Sequence, residues 1–132
     1  MINTNIYNYI NVLDKAADAA NSRNEILSNN IANVDTPNYK RKDVAFENYL
    51  EQALIGPESL DDRIADVNTH LSDFGGMTYT DHSTLSYRLD GNNVDINTEE
   101  ARLAENQIKY QALVDLMNQE FARYNTVLSS GN

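Results

Sequence analysis

The feature that most constrains this chain is an apolar stripe that ends in an asparagine-rich turn. Ile6, Ile10, Leu13, Ala17, Ala20, Asn24, Leu27, Ile31 and Val34 follow one another at alternating spacings of four and three, and only Asn24 among them is polar. A seam at this spacing belongs to a helix that lies along another helix. It predicts one long helix over 4–34. The helix ends at Asp35-Thr36-Pro37, since the residue before a proline is pushed out of the helical region. Eight of the residues from Thr4 to Val34 are asparagine, and each is less favourable in a helix than alanine by up to about 0.7 kcal/mol. Such a helix needs packing to be stable, which points to assembly rather than to a self-sufficient globule.

A second long helix is expected over 97–128. Asn97 suits its N-cap, Glu100 can reach back as in a capping box, and Glu99 and Glu100 complement the positive helix start. This helix is apolar on more than one face. One seam is Leu103, Tyr110, Leu113, Met117, Tyr124 and Val127; another is Ala101, Ala104, Ile108, Ala112 and Leu116; Phe121 and Leu128 widen the surface further. A two-helix hairpin covers about one stripe per helix. The surplus is left for other molecules unless the middle of the chain folds over it. Tyr7 and Tyr9 lie on different faces of the first helix, so at least one of them is expected to be left for a neighbour.

The predicted fold class is therefore mainly α: an antiparallel, coiled-coil-like pair of long N- and C-terminal helices with an inserted, partly irregular segment. Residues 1–37 and 97–132 together form a discontinuous terminal-helix domain, and 38–96 is the insert, in part open to disorder. Within it, Asp43 to Ala53 reads as a short helix ended by Gly56-Pro57, and Ser59 to Leu71 as a weaker helix or turn. Thr78–Thr80 and Leu85–Leu89 read as short strands. Asp90-Gly91-Asn92-Asn93 is a tight-turn sequence with Val94-Asp95-Ile96 as the return strand of a small β-hairpin.

Charge and composition exclude several functions. The formal charge is −10, and residues 36–96 carry 11 acidic and 5 basic side chains. Nucleic acid as a partner needs a dense basic patch, and an anionic membrane surface is disfavoured for the same reason. No apolar run approaches the roughly 18 residues of a membrane span. No basic segment leads into an apolar one at the N-terminus, so no cleaved signal peptide is expected. There is no cysteine, hence no disulfide and no thiolate metal site. His70 and His82 have no partner at ligand spacing and read as ordinary surface histidines. Asp90-Gly91-Asn92-Asn93-Val94-Asp95 lacks the spacing and terminal glutamate of a calcium loop. No phosphate loop, dinucleotide fingerprint, nucleophile elbow or zinc motif occurs. No enzyme activity, cofactor, metal or small-molecule substrate is expected.

Lys40-Arg41-Lys42 is the only basic cluster. The simplest reading is a solvated turn, because surface ion pairs are weak; the alternative is a contact with an acidic neighbour.

The turn itself is the sharpest motif. Asparagine tolerates a left-handed backbone and bonds its own main chain in turns. The run Leu27-Ser28-Asn29-Asn30-Ile31-Ala32-Asn33-Val34-Asp35-Thr36-Pro37-Asn38-Tyr39-Lys40-Arg41 resembles the signature shared by bacterial flagellar rod, hook and hook-associated proteins, N-[apolar]-A-N-x-x-T-x-G-aromatic. Asn30, Ile31, Ala32, Asn33, Thr36 and Tyr39 match it in place, and Asn38 stands where the family has glycine. Asparagine is the next best residue for positive φ. The chain is most similar to the proximal members of the flagellar basal body rod family. Its length, the segment Tyr39 to Glu47, the turn Asp90 to Asp95 and the run Leu103 to Leu113 carry that likeness. The companion rod proteins have a longer connection after the turn. The likeness covers both ends of the chain and hardly touches residues 56–84.

The resemblance implies a structural subunit of the proximal rod, the drive shaft that crosses the periplasm or cell wall. Such a subunit is exported uncleaved through the flagellar type III export apparatus. Its partners would be copies of itself, the other rod proteins, and the adaptor protein and membrane ring beneath. The signature turn would be Asn30, Ile31, Ala32, Asn33, Thr36, Pro37 and Tyr39. The assembly helices would present Ile6, Ile10, Leu13, Leu27 and Ile31 from the first, and Leu103, Ile108, Tyr110, Leu113, Met117, Phe121 and Tyr124 from the last. Periodicity alone also allows a soluble helical-hairpin adaptor or chaperone that holds one partner helix.

Overall fold

A computed structural model of the chain describes residues 4–74, 77–82 and 88–131. In chain order the elements are α1 (Thr4–Ala32), β1 (Lys42–Val44), α2 (Phe46–Leu54), α3 (Leu60–Thr69), a 3-10 turn at Leu71–Phe74, β2 (Thr78–Thr80) and α4 (Ile96–Ser129). The long helices have 29 and 34 residues, or about 43 and 51 Å at 1.5 Å per residue. They run antiparallel along their whole length. Tyr7 meets Tyr124 near the start of α1, Asn24 meets Asn106 in the middle, and Asn30 meets Glu99 at its end.

The stripe on α1 forms the core of this pair. Ile10, Leu13, Ala17, Ala20 and Leu27 are buried, while Asn24, Ile31 and Val34 are half-buried. Ile6 lies on α1, but its side chain is outside the described part of the molecule. Another flank of α1 packs against α3, where Asn68 Nδ2 donates to Asn8 Oδ1 at 2.9 Å and Val67 is buried. Ser59 caps α3 by accepting from the Asp62 amide at 3.2 Å, and Asp61 and Asp62 sit at its positive end.

Three expectations change at the level of detail. The short helix expected over Asp43 to Ala53 starts only at Phe46, because Lys42–Val44 is drawn into a strand. The strand Thr78–Thr80 is present as expected, and its partner is the unforeseen β1, antiparallel, with Asp43 opposite Tyr79. The companion strand Leu85–Leu89 falls mostly on residues outside the described ones. Val94 and Asp95 are extended coil leading into α4, so no return strand forms there. The reason is competition: the Gly91 amide donates to Arg88 O, the Asn92 amide to Asp90 Oδ1 and the Asn93 amide to Tyr39 O. Finally, α4 starts one residue earlier than expected and is capped by Asp95, not Asn97. The Asp95 carboxylate accepts from the amides of Asn97 and Thr98 at 3.0 and 3.2 Å, which places a full negative charge on the positive helix end.

Candidate functional site

The asparagine-rich turn is built from side-chain amides that replace missing backbone partners. Asn30 is fully buried and uses both ends of its carboxamide. Its Nδ2 donates to Lys42 O at 2.7 Å and Glu99 Oε2 at 2.8 Å; its Oδ1 accepts from the Lys42 amide at 2.9 Å and the Tyr39 hydroxyl at 3.2 Å. The side chain thus pairs with the Lys42 backbone as a neighbouring strand would. Asn33 Nδ2 donates to Asn29 O at 2.8 Å, and Thr36 Oγ1 donates to Asn33 Oδ1 at 3.1 Å. Ile31 is half-buried, whereas Ala32, Thr36 and Pro37 are exposed. Asn38 takes φ 60°, the left-handed backbone expected at the position where the family carries glycine.

Arg41 corrects the solvated-turn reading of the basic cluster. It is buried, and carboxylates from three parts of the chain surround its guanidinium: Glu99 at 2.7 Å, Asp43 at 2.9 Å and Asp81 at 3.4 Å. Arg23 of α1 also grips Asp43, at 2.7 and 3.2 Å, and Arg102 reaches Glu99 at 2.9 Å. Lys40 donates to Gly91 O at 2.5 Å, and Lys42 remains exposed. Burial pushes the Asp43 carboxyl up, but the hydrogen bonds from Arg23, Arg41 and the Val44 amide outweigh it and hold it below the usual carboxylate range. Burial likewise opposes the charge on Arg41, and its bonds to Asp43 and Glu99 more than offset this, so its pKa is raised. The acids that meet Arg41 come from its own chain: Asp43 on β1, Asp81 just after β2 and Glu99 at the start of α4.

Glu99 and Asn106 are the functional-looking residues that apolar patterning misses. They are the buried residues of α4, and both lie in the gaps of its first seam. Glu99, Leu103, Asn106, Tyr110, Leu113, Met117, Glu120, Tyr124 and Val127 continue at four-three spacing without a break. The signal was therefore present in the register, hidden because the fillers are polar. Asn106 Nδ2 donates to Ala20 O at 2.7 Å and Asn24 Oδ1 at 2.8 Å, so the one polar member of the α1 stripe meets a polar member of the α4 stripe. Asn106 Oδ1 has no partner among the described residues. A buried amide in a helix seam trades stability for register.

The remaining predicted residues divide cleanly. Leu103, Leu113, Met117 and Tyr124 are half-buried against α1. Tyr7 and Tyr124 stack edge-on at 5.5 Å with their hydroxyls 2.7 Å apart, so Tyr7 finds its partner inside the chain while its ring stays partly exposed. Ile108 is 73% exposed, and Tyr110, Leu116, Phe121, Val127 and Leu128 are also exposed. Ala101, Ala104 and Ala112 are exposed as well. The middle segment therefore does not cover the second face of α4. His70 and His82 are exposed. Among the described residues no group of three or more His, Asp or Glu is placed to hold a metal ion, and no helix is long and apolar enough to cross a membrane.

The flagella basal body rod protein family model matches residues 10–40, which contain the stripe and the turn. The flagellar basal body rod protein FlgB of Bacillus subtilis is 42% identical over 121 residues, covering 90% of this chain and 92% of the relative. FlgB of Borreliella burgdorferi is 36% identical, covering 84% and 88%. FlgB of Escherichia coli is 31% identical, covering 83% and 85%. Likeness that runs through nearly the whole of both chains sets aside the adaptor reading: the chain belongs to the FlgB family of flagellar basal body rod proteins, as a structural rod subunit and not an enzyme.

Proposed function

We propose that this subunit builds the proximal rod by polymerising through the outer face of its terminal helices. The unit of assembly is the discontinuous pair 1–37 and 97–132, with 38–96 as an insert carried on it. The observation that supports this most is the uncovered apolar surface of α4: Ile108, Leu116, Phe121, Val127 and Leu128 are 38 to 73% exposed on a helix whose inner face is already occupied by α1. Burying such surface is worth about 25 cal/mol per Å². Contacts between unlike faces that do not close on themselves propagate a helical tube, and many of them in parallel give torsional stiffness. Other rod proteins, the basal body adaptor and the membrane ring would meet the same faces at the ends of the stack. The low helix propensity of α1 suits passage through the flagellar export apparatus as an unfolded, uncleaved chain that folds where it is built in.

Ile108→Asp tests this reading. Ile10 and Leu13 are buried within the subunit, so changing them would damage the monomer itself. Ile108 lies outside the pair. The variant is expected to keep its helix content and Tm and to be exported, while rods fail to form in electron micrographs of basal bodies and swimming is lost. Complete rods and normal motility would overturn assembly through this face.

A further inference from the structure

We infer that residues 88–99 form a latch that closes the asparagine-rich turn as a step separate from the pairing of the long helices. The last carbonyls of a helix have no partner within it, and most helices meet this need with the next few residues. In α1 this holds: the Asn33 amide donates to Asn29 O and Asn30 O, and the Val34 amide to Ile31 O. The carbonyls of the turn that follows the helix take a further partner from far along the chain. Asn92 Nδ2 donates to Asn33 O at 2.9 Å, Val34 O at 3.0 Å and Thr36 O at 2.8 Å. Asn92 is 1% exposed, so water cannot replace it while the segment is docked. Its carboxamide is held in place from behind, with Oδ1 accepting from the Val94 amide at 2.8 Å.

The rest of the segment follows the same path. Arg88 Nη1 donates to Val34 O at 2.5 Å, the Asn38 amide donates to Asp90 O at 2.8 Å, and the Arg41 amide donates to Asn93 Oδ1 at 2.7 Å. Glu99 then closes on Asn30 and Arg41. The two surfaces fit at a point where both backbones are left-handed, Asn38 at φ 60° and Gly91 at φ 76°. A Cβ on Gly91 would push Asn38 Oδ1, 2.8 Å away, aside, and φ 76° is itself strained for any residue with a side chain. Apart from Asn30 and Glu99 at its very end, the seam between α1 and α4 uses none of these groups. It rests on Ile10, Leu13, Ala17 and Ala20 together with the Asn106 amide. The turn therefore reaches its final form only after the chain has been extended through residue 99, whereas the helix pair has its own, apolar source of stability.

Residue-resolved amide hydrogen exchange on the full chain tests the latch, with Asn92→Ala removing its donor and Gly91→Ala straining its left-handed backbone. In both variants the amides of Thr36, Asn38, Tyr39 and Arg41 are expected to exchange within about tenfold of an unstructured chain. The amides of Leu13 to Ala20 should stay protected by at least about a hundredfold. Turn amides as protected as in the parent chain would overturn the latch. So would turn and seam losing protection together, including outright unfolding, because closure would then be part of the global fold and not a separate step.

Discussion

The two ends of α4 differ in a way that local sequence does not announce. At its start, Glu99 and Asn106 are buried polar residues, each bonded to α1 or to the segment that follows it. Toward its end, Phe121, Val127 and Leu128 are apolar and roughly half-exposed or more. Hydropathy alone would exchange these roles, placing the charge outside and the aromatic ring within. The difference teaches that burial here follows completion of bonding. The polar end finds nearly all its partners within one chain and is finished. The apolar end has one helix to lie against, and a single helix covers only part of its circumference.

The sharpest way to break the finished end is Glu99→Ala. It strips a buried carboxylate from Arg41, Asn30 and Arg102, and removal of one partner from a buried ion pair is expected to destabilise by about 3–5 kcal/mol, read from urea unfolding. Leu27→Ala, at a residue with no exposed surface on the α1 seam, is expected to lower stability by about 3 kcal/mol through cavity formation. In the same assay, a much smaller loss would mean that the seam is loosely packed. Asn92→Ala removes one of the donors to each of three carbonyls and is expected to remove about 2 kcal/mol.

Acid gives a graded version of the same comparison. Asp43 titrates lower in the folded chain than in the unfolded one. Its contribution is therefore complete above the ordinary value of 3.8 and is lost as the pH falls through the depressed folded value. Thermal unfolding followed from pH 6 downward should show the midpoint dropping below about pH 4. Asp43→Asn should flatten that part of the profile; an unchanged acid limb would detach Asp43 from the stability of the turn. The smallest expected effect lies at the open end. Ile108→Asp should change monomer stability by no more than about 0.5 kcal/mol, and a large loss would mean that Ile108 already packs within the subunit.

Much of this architecture is legible before any coordinates. The four-three stripe from Ile10 to Leu27 predicts α1 and its buried face, and Asp35-Thr36-Pro37 predicts its end within a few residues. The excess apolar width of α4 is legible too, and it remains uncovered in the fold. The turn was legible as a motif, including the left-handed Asn38. Its construction was not. Arg41 sits in a run of three basic residues, and nothing in that run distinguishes the one that is buried from the two that are not. Glu99 reads as one of two glutamates favouring a helix start, though it continues the α4 register and could have been noticed there. Asp90-Gly91-Asn92-Asn93 carries hairpin chemistry, and much of its bonding went to the turn that follows α1 instead.

The sequence by itself determined the two long helices, their seam, the place where the first one stops and the surplus surface of the second. These follow from periodicity and from backbone preferences that act within a few residues. Only the tertiary structure decided that Lys42–Val44 pairs with Thr78–Thr80, that Asn92 holds a turn 56 to 59 residues upstream, and that Arg41 lies among Asp43, Asp81 and Glu99. Those choices depend on which polar groups lose water together when distant segments meet. A buried donor without an acceptor costs more than any local preference gains, so the long-range partners win over the short-range ones.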